Sequence, residues 1–191
     1  ERVSLLKAAL EGLKRFRSPR VTRVLEHRLR KGPNAVRLMV LNVLESIGND
    51  EALPPLVEAL GSKHLSVRNK AGEVLSSLSR AGKLDVTRTV LWLLKSRDPN
   101  VRRMALEIAR SVKDPQNQLW PKMMALLRDE DWWVRERVVD VLVELAGTQL
   151  TRHIAGFLAD PSDIVRRFAV NVLVRLKDPA SVGALVRTIQ G

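Results

Sequence analysis

Residues 98–109 read Asp98-Pro99-Asn100-Val101-Arg102-Arg103-Met104-Ala105-Leu106-Glu107-Ile108-Ala109, and residues 160–173 read Asp160-Pro161-Ser162-Asp163-Ile164-Val165-Arg166-Arg167-Phe168-Ala169-Val170-Asn171-Val172-Leu173. Laid over each other at the Val-Arg pair, the two stretches share their apolar positions. The pair itself occurs five times, at Val36-Arg37, Val67-Arg68, Val101-Arg102, Val134-Arg135 and Val165-Arg166, with gaps of 31, 34, 33 and 31 residues. A near-constant period of this length marks a chain built by stacking one small unit many times.

With the valine as position 0, positions 4, 7, 8 and 11 are apolar in each copy, as in Val40, Val43, Leu44 and Ile47. That spacing is one stripe of a 3.6-residue helix, here called B. The template extends upstream with Leu5 at position 0, followed by Ala9, Gly12, Leu13 and Phe16, so six B helices are expected. Seven residues before each Val-Arg valine stands a leucine (Leu29, Leu60, Leu94, Leu127, Leu158), and four before that Leu25, Leu56, Val90, Met123 or Ile154. These pairs predict a second helix, A, ahead of each B. The pair returns at Leu185 and Ile189. Asp98-Pro99 and Asp160-Pro161 suit the starts of B helices, since Asp caps free amides and Pro is tolerated in a first turn. Pro54, Pro55 and Pro121 should bend or delay their A helices, and Trp120, aligned with Leu53, is expected in the core. The fold class is therefore all-α, an α-solenoid of about six helical hairpins. Residues 1–191 read as a single solenoid. Its absent initiator Met, and ends that cut through a repeat, suggest part of a longer protein.

These stretches resemble HEAT repeats, in the short-period variety of phycobilin lyases, across essentially the whole chain. The resemblance implies a right-handed superhelix whose concave face is lined by the B helices. It implies no single function, because a fold is not an activity.

Composition narrows the field. Hydrophobic residues make up 45% and aromatic ones only 4%, so the core is aliphatic. The absence of cysteine excludes disulfides and thiolate chemistry and fits the cytoplasm. No apolar run reaches the ~20 residues a transmembrane helix requires. The net charge of +12 points to an acidic partner, and its distribution is uneven. Residues 1–31 hold ten Lys/Arg and three Glu, a net of +7. The cluster comprises Lys14, Arg15, Arg17, Arg20, Arg23, Arg28, Arg30 and Lys31. It suits a nucleic-acid backbone, an anionic surface or an acidic protein, or a solvated outer face.

Position 1 lies on the flank of the B stripe. Arg37, Arg68, Arg102, Arg135 and Arg166 are thus expected as a structural ladder that meets Asp or backbone carbonyls of neighbouring repeats. Positions 2, 6, 9 and 13 should line the inner face. They include Glu73, Arg103, Glu107, Arg110, Glu136, Asp140 and Arg167, together with Glu11, Glu45, Asp114 and Asp178. This mixed surface suits a polar or basic partner segment, or pairing along its own helices. Trp132 and Trp133 read as the loop before Val134. They serve either as an interface anchor or as filler between adjacent A–B loops. Trp92 should lie on the outer side of its A helix.

Nothing in the sequence marks catalysis. His27, His64 and His153 are scattered, without ligand spacing, and no phosphate loop or nucleophile motif is present. No metal or cofactor is expected. The leading expectation is a non-enzymatic scaffold that binds another protein or peptide. Phosphate-backbone binding through the N-terminal cluster is the alternative, and a bilin-lyase-like modifying subunit the third.

Overall fold

The computed structural model describes residues 2–16, 18–114 and 118–190. Among them the chain is all-α, without a strand. The B helices are α1 (Arg2–Leu13), α3 (Asn34–Ile47), α5 (Leu65–Arg80), α7 (Pro99–Ala109), α9 (Trp132–Ala146) and α11 (Asp163–Leu176). The A helices are α2 (Pro19–Lys31), α4 (Leu53–Leu60), α6 (Thr87–Leu93), α8 (Leu119–Ala125), α10 (Thr151–Ala155) and α12 (Val182–Gln190). Single 3-10 turns, such as Asp50–Ala52 before α4 and Leu126–Arg128 after α8, extend several of the short A helices. Pro54 and Pro55 sit in the first turn of α4, and Pro121 in that of α8, where a missing N–H breaks no intrahelical bond.

The chain forms two compact units. The first runs to Leu93 and includes Glu107–Lys113; the second holds Leu94–Leu106 and continues from Asp114. In the first, α2 packs on α3, α3 on α5, and α4 on α5. Leu25, Val40, Leu44, Leu56, Leu60 and Leu75 are fully buried there. In the second, α9 packs on α11, with α8 against α9 and α10 against α11, around Val134, Val138, Leu142, Ile154 and Leu173. Each such side chain contributes about 1.5–3 kcal/mol of burial. Position 5 is also buried, at Leu41, Leu106 and Val139. The B stripe is wider than the periodicity predicts, because α3 and α9 each pack on an A helix and on another B helix.

The upstream copy departs from its template. Leu5 and Phe16 are 73% and 61% exposed, whereas Leu10 is buried and Leu6 and Leu13 are half-buried. α1 therefore turns the Leu6-Leu10-Leu13 stripe inward, which buries more carbon than Leu5-Ala9-Gly12 could. Trp120 is also corrected. Leu119, paired with Met123, takes the core place, and Trp120 is only half-buried. In α12, Leu185 is half-buried and Ile189 is 86% exposed, so that apolar pair is not a core pair.

Candidate functional site

The last carbonyls of a helix lack intrahelical donors. The Val-Arg arginines reach one such carbonyl, that of Arg30, and otherwise the turn carbonyls just past the A helices. Arg37 donates to the carbonyls of Gly32 (2.7 Å) and Arg30 (2.9 Å), and Arg68 to that of Ser62 (2.8 Å). Arg102 donates to Ser96 and Arg97, Arg135 to Asp129 and Glu130, and Arg166 to Asp160 and Pro161, at 2.5–3.1 Å. Each guanidinium thus folds back on the A–B turn of its own repeat, five to seven residues upstream, rather than facing a neighbour. Arg102 and Arg135 do both. The Arg135 guanidinium also lies over the Phe168 ring of the next B helix. Arg102 Nε and Nη2 hold both carboxylate oxygens of Asp129, 27 residues on, at 2.8 and 2.6 Å. That hydrogen bond, with the charge of Asp129, raises the Arg102 pKa further.

Further cross-repeat bonds join like places in successive repeats: Arg30 to Glu58, Thr22 to Glu51, Thr151 to Asp178, and Arg128 to Asp160. Sequence reading missed these. Their residue types change from repeat to repeat, and only a partner near i+30 could have signalled them.

Several residues expected on the inner face are engaged within the protein, some along their own helix and some across repeats. Asp114 accepts the amides of Gln118 and Leu119 at the start of α8. Asp178 accepts the Ala180 amide and the Thr151 hydroxyl, which together hold its pKa below the ordinary value, the hydroxyl foremost. Glu11 pairs with Lys14, Glu45 with Lys70, and Glu107 with Arg110. Arg103 donates to Asn100, and Asp140 lies between Arg137 and Arg175 at 3.5 and 2.8 Å. Glu73 is exposed on α5.

One place gathers apolar surface with polar groups. Asp131 accepts the Val134 amide at 2.9 Å, so it is the N-cap of α9. Trp132 and Trp133 consequently form the first turn of that helix, not a loop. They are 49% and 61% exposed, and their rings meet edge to face at 4.6 Å. Beside them runs an open groove of about 420 Å³ between α9 and α11, lined by Trp132, Arg135, Glu136, Ile164, Arg167, Phe168 and Asn171. Ile164 is 49% exposed at its edge. On the groove wall the Arg135 guanidinium lies 5.7 Å from the centre of the buried Phe168 ring. Arg167 reaches into solvent while pairing with Asp163 at 2.8 Å.

The basic cluster is divided. Arg30 is engaged by Glu26 and Glu58, and Lys14 by Glu11. Arg15, Arg20, Arg23, Arg28 and Lys31 are exposed, and Arg17 lies outside the described residues. Trp92 stands 66% exposed on α6. Among the described residues no three His, Asp or Glu side chains converge as metal ligands. No described helix is long and apolar enough to cross a membrane.

Paired helices joined by short turns, repeated every 31–34 residues, define an α-helical repeat protein. The family model for HEAT repeats matches residues 86–163, and that for the PBS lyase HEAT-like repeat matches residues 36–62. The chain is a HEAT-repeat protein. No curated protein matches it. Among solved structures it is similar to an archaeal HEAT-like repeats protein from Thermococcus onnurineus NA1, at 20% identity, with 92% of this chain and 80% of that one covered and a TM-score of 0.45. It is also similar to an engineered protein, at 18% identity, with 90% of each chain covered and a TM-score of 0.42.

Proposed function

We propose that this HEAT-repeat chain is a non-enzymatic interaction scaffold, and that the groove between α9 and α11 takes a peptide segment of a partner protein. The observation that carries the reading is the joint exposure of Trp132, Trp133 and Ile164 around that groove. Large apolar side chains left in water beside a groove are the usual anchors of protein contacts. The segment would place an apolar side chain between Trp132 and Ile164. Glu136 and Arg167 would fix its register with one charge of each sign. Asp140, Arg103 and, in the first unit, Glu73, Glu107 and Arg110 are secondary candidates for polar contacts.

Panning a random-peptide display library on the immobilised protein tests this. Peptides with an apolar anchor should be enriched. Trp132→Ala with Trp133→Ala, or Ile164→Glu, should lower their affinity about 30-fold or more, as loss of ~2 kcal/mol at an anchor does. Helicity should be unchanged, since all three side chains are largely solvated. Equal enrichment on the variants rejects the groove as the site.

A further inference from the structure

The first unit carries a different surface, which the groove does not use. Helix α2 buries Thr22, Leu25 and Leu29. At 100° per residue, Arg20, Val24, His27 and Lys31 fall within about 60° of one another on the opposite side, flanked by Arg23 and Arg28. All six are exposed, and the sector contains no acid. Three acids stand on or beside the helix: Glu51 accepts the Thr22 hydroxyl on the buried side, and one guanidinium holds Glu26 and Glu58. Arg30 Nε lies 2.7 and 2.9 Å from the Glu58 oxygens, and its Nη2 lies 2.7 Å from Glu26. Among the described residues Arg20, Arg23, Arg28 and Lys31 have no acidic partner. The result is a row of four uncompensated cations along roughly 16 Å of helix.

We propose that this outward face of α2 binds the phosphate backbone of a nucleic acid without reading its bases. Over 16 Å a duplex presents about ten phosphate charges, more than enough to engage four cations. Three of the four are arginines, whose planar fork matches two phosphate oxygens at once. The face has no Asn or Gln to read adenine edges, and a row of cations needs only phosphates, whose contacts carry no sequence information. A membrane fits less well. A helix that lies in a bilayer surface inserts an apolar face, and the apolar face of α2 is packed into the core, leaving only Val24 outside.

The test is fluorescence anisotropy of a labelled 20-base-pair duplex titrated with the whole chain from 50 to 200 mM NaCl. Four neutralised phosphates give a log–log salt slope of about −3.6, an affinity loss of about 150-fold over that range. Arg20→Gln/Arg23→Gln/Arg28→Gln/Lys31→Gln should abolish binding, and arginine-to-lysine changes at the same places should keep most of it. Removing four charges elsewhere, with Lys95→Gln/Arg97→Gln/Lys122→Gln/Arg152→Gln, should leave the slope near its original value. Should the quadruple α2 variant lose helicity, Arg28→Gln/Lys31→Gln alone should reduce the slope by about 1.8. The proposal is overturned by no duplex binding at 50 mM NaCl or by equal loss in the remote-charge variant. Tighter binding to phosphatidylserine vesicles or to polyglutamate than to the duplex overturns it too.

Discussion

Arg102 and Arg166 occupy the same place in their repeats, yet their surroundings differ. Both donate to turn carbonyls. The Arg102 side chain is 7% exposed and grips an Asp129 side chain that is 5% exposed. Arg166 is 38% exposed and meets a solvated Asp163. A buried charge left without its partner is far more costly than a surface one. Asp129→Ala should therefore destabilise the protein by about 3–5 kcal/mol, because it strands the Arg102 guanidinium. Asp163→Ala should cost under about 1 kcal/mol. Urea unfolding of the two variants checks the contrast, and equal losses would contradict it. Asp178 offers a second test, in pH. Its carboxyl is held below its ordinary 3.8 by Thr151 and the Ala180 amide. The stabilisation is complete above about pH 4, where the group is ionised folded or unfolded, and is lost as pH falls through the lowered folded value. Thr151→Val should flatten the fall of Tm below pH 4. An unaltered acid limb would mean that the Thr151 bond contributes nothing.

At the scale of the helices, A and B are unequal partners. B helices run to 11–16 residues, and Asp98 and Asp131 accept first-turn amides of α7 and α9; α6, α8 and α10 have five to seven residues. Isolated helices so short are unstable, so the A layer depends on packing through pairs such as Leu25–Leu29 and Leu56–Leu60. The turns between them must hold their shape. Gly48 ends α3 in the left-handed region, at φ 54°, and a Cβ there would lie 3.0 Å from Leu78 Cδ2 and 3.1 Å from Lys83 Cδ. Gly82 has a similar φ of 67° with open space around it. Gly48→Ala should cost more than about 1 kcal/mol, combining strain with crowding, and more than Gly82→Ala, which meets strain alone. Denaturant midpoints of the two variants, in either order, decide whether crowding matters.

For the molecule as a whole, the repeat was legible because one side-chain pattern recurs in register, and burial follows it at nearly all core positions of α3, α5, α9 and α11. It failed at α1, where a neighbouring leucine stripe outcompeted the template, and at Trp120, where Leu119 fitted the core better. Both misses are one-residue rotations between near-equal apolar faces, which periodicity alone cannot separate. The candidate surfaces were legible only in part. The tryptophan pair and the basic run stand out as unusual composition. That Trp132 begins a helix beside Ile164 depends on Asp131 as a cap. That α2 keeps four bare cations depends on Arg30 drawing Glu26 and Glu58 to itself, the second by packing 28 residues apart.

The chain has four tryptophans and no tyrosine. Three of the indoles, Trp92, Trp132 and Trp133, stand largely in water, and two of them touch. Its ultraviolet emission therefore comes chiefly from the surface rather than the core. A ligand that covered the α9 turn would shift that colour toward the blue with no label attached.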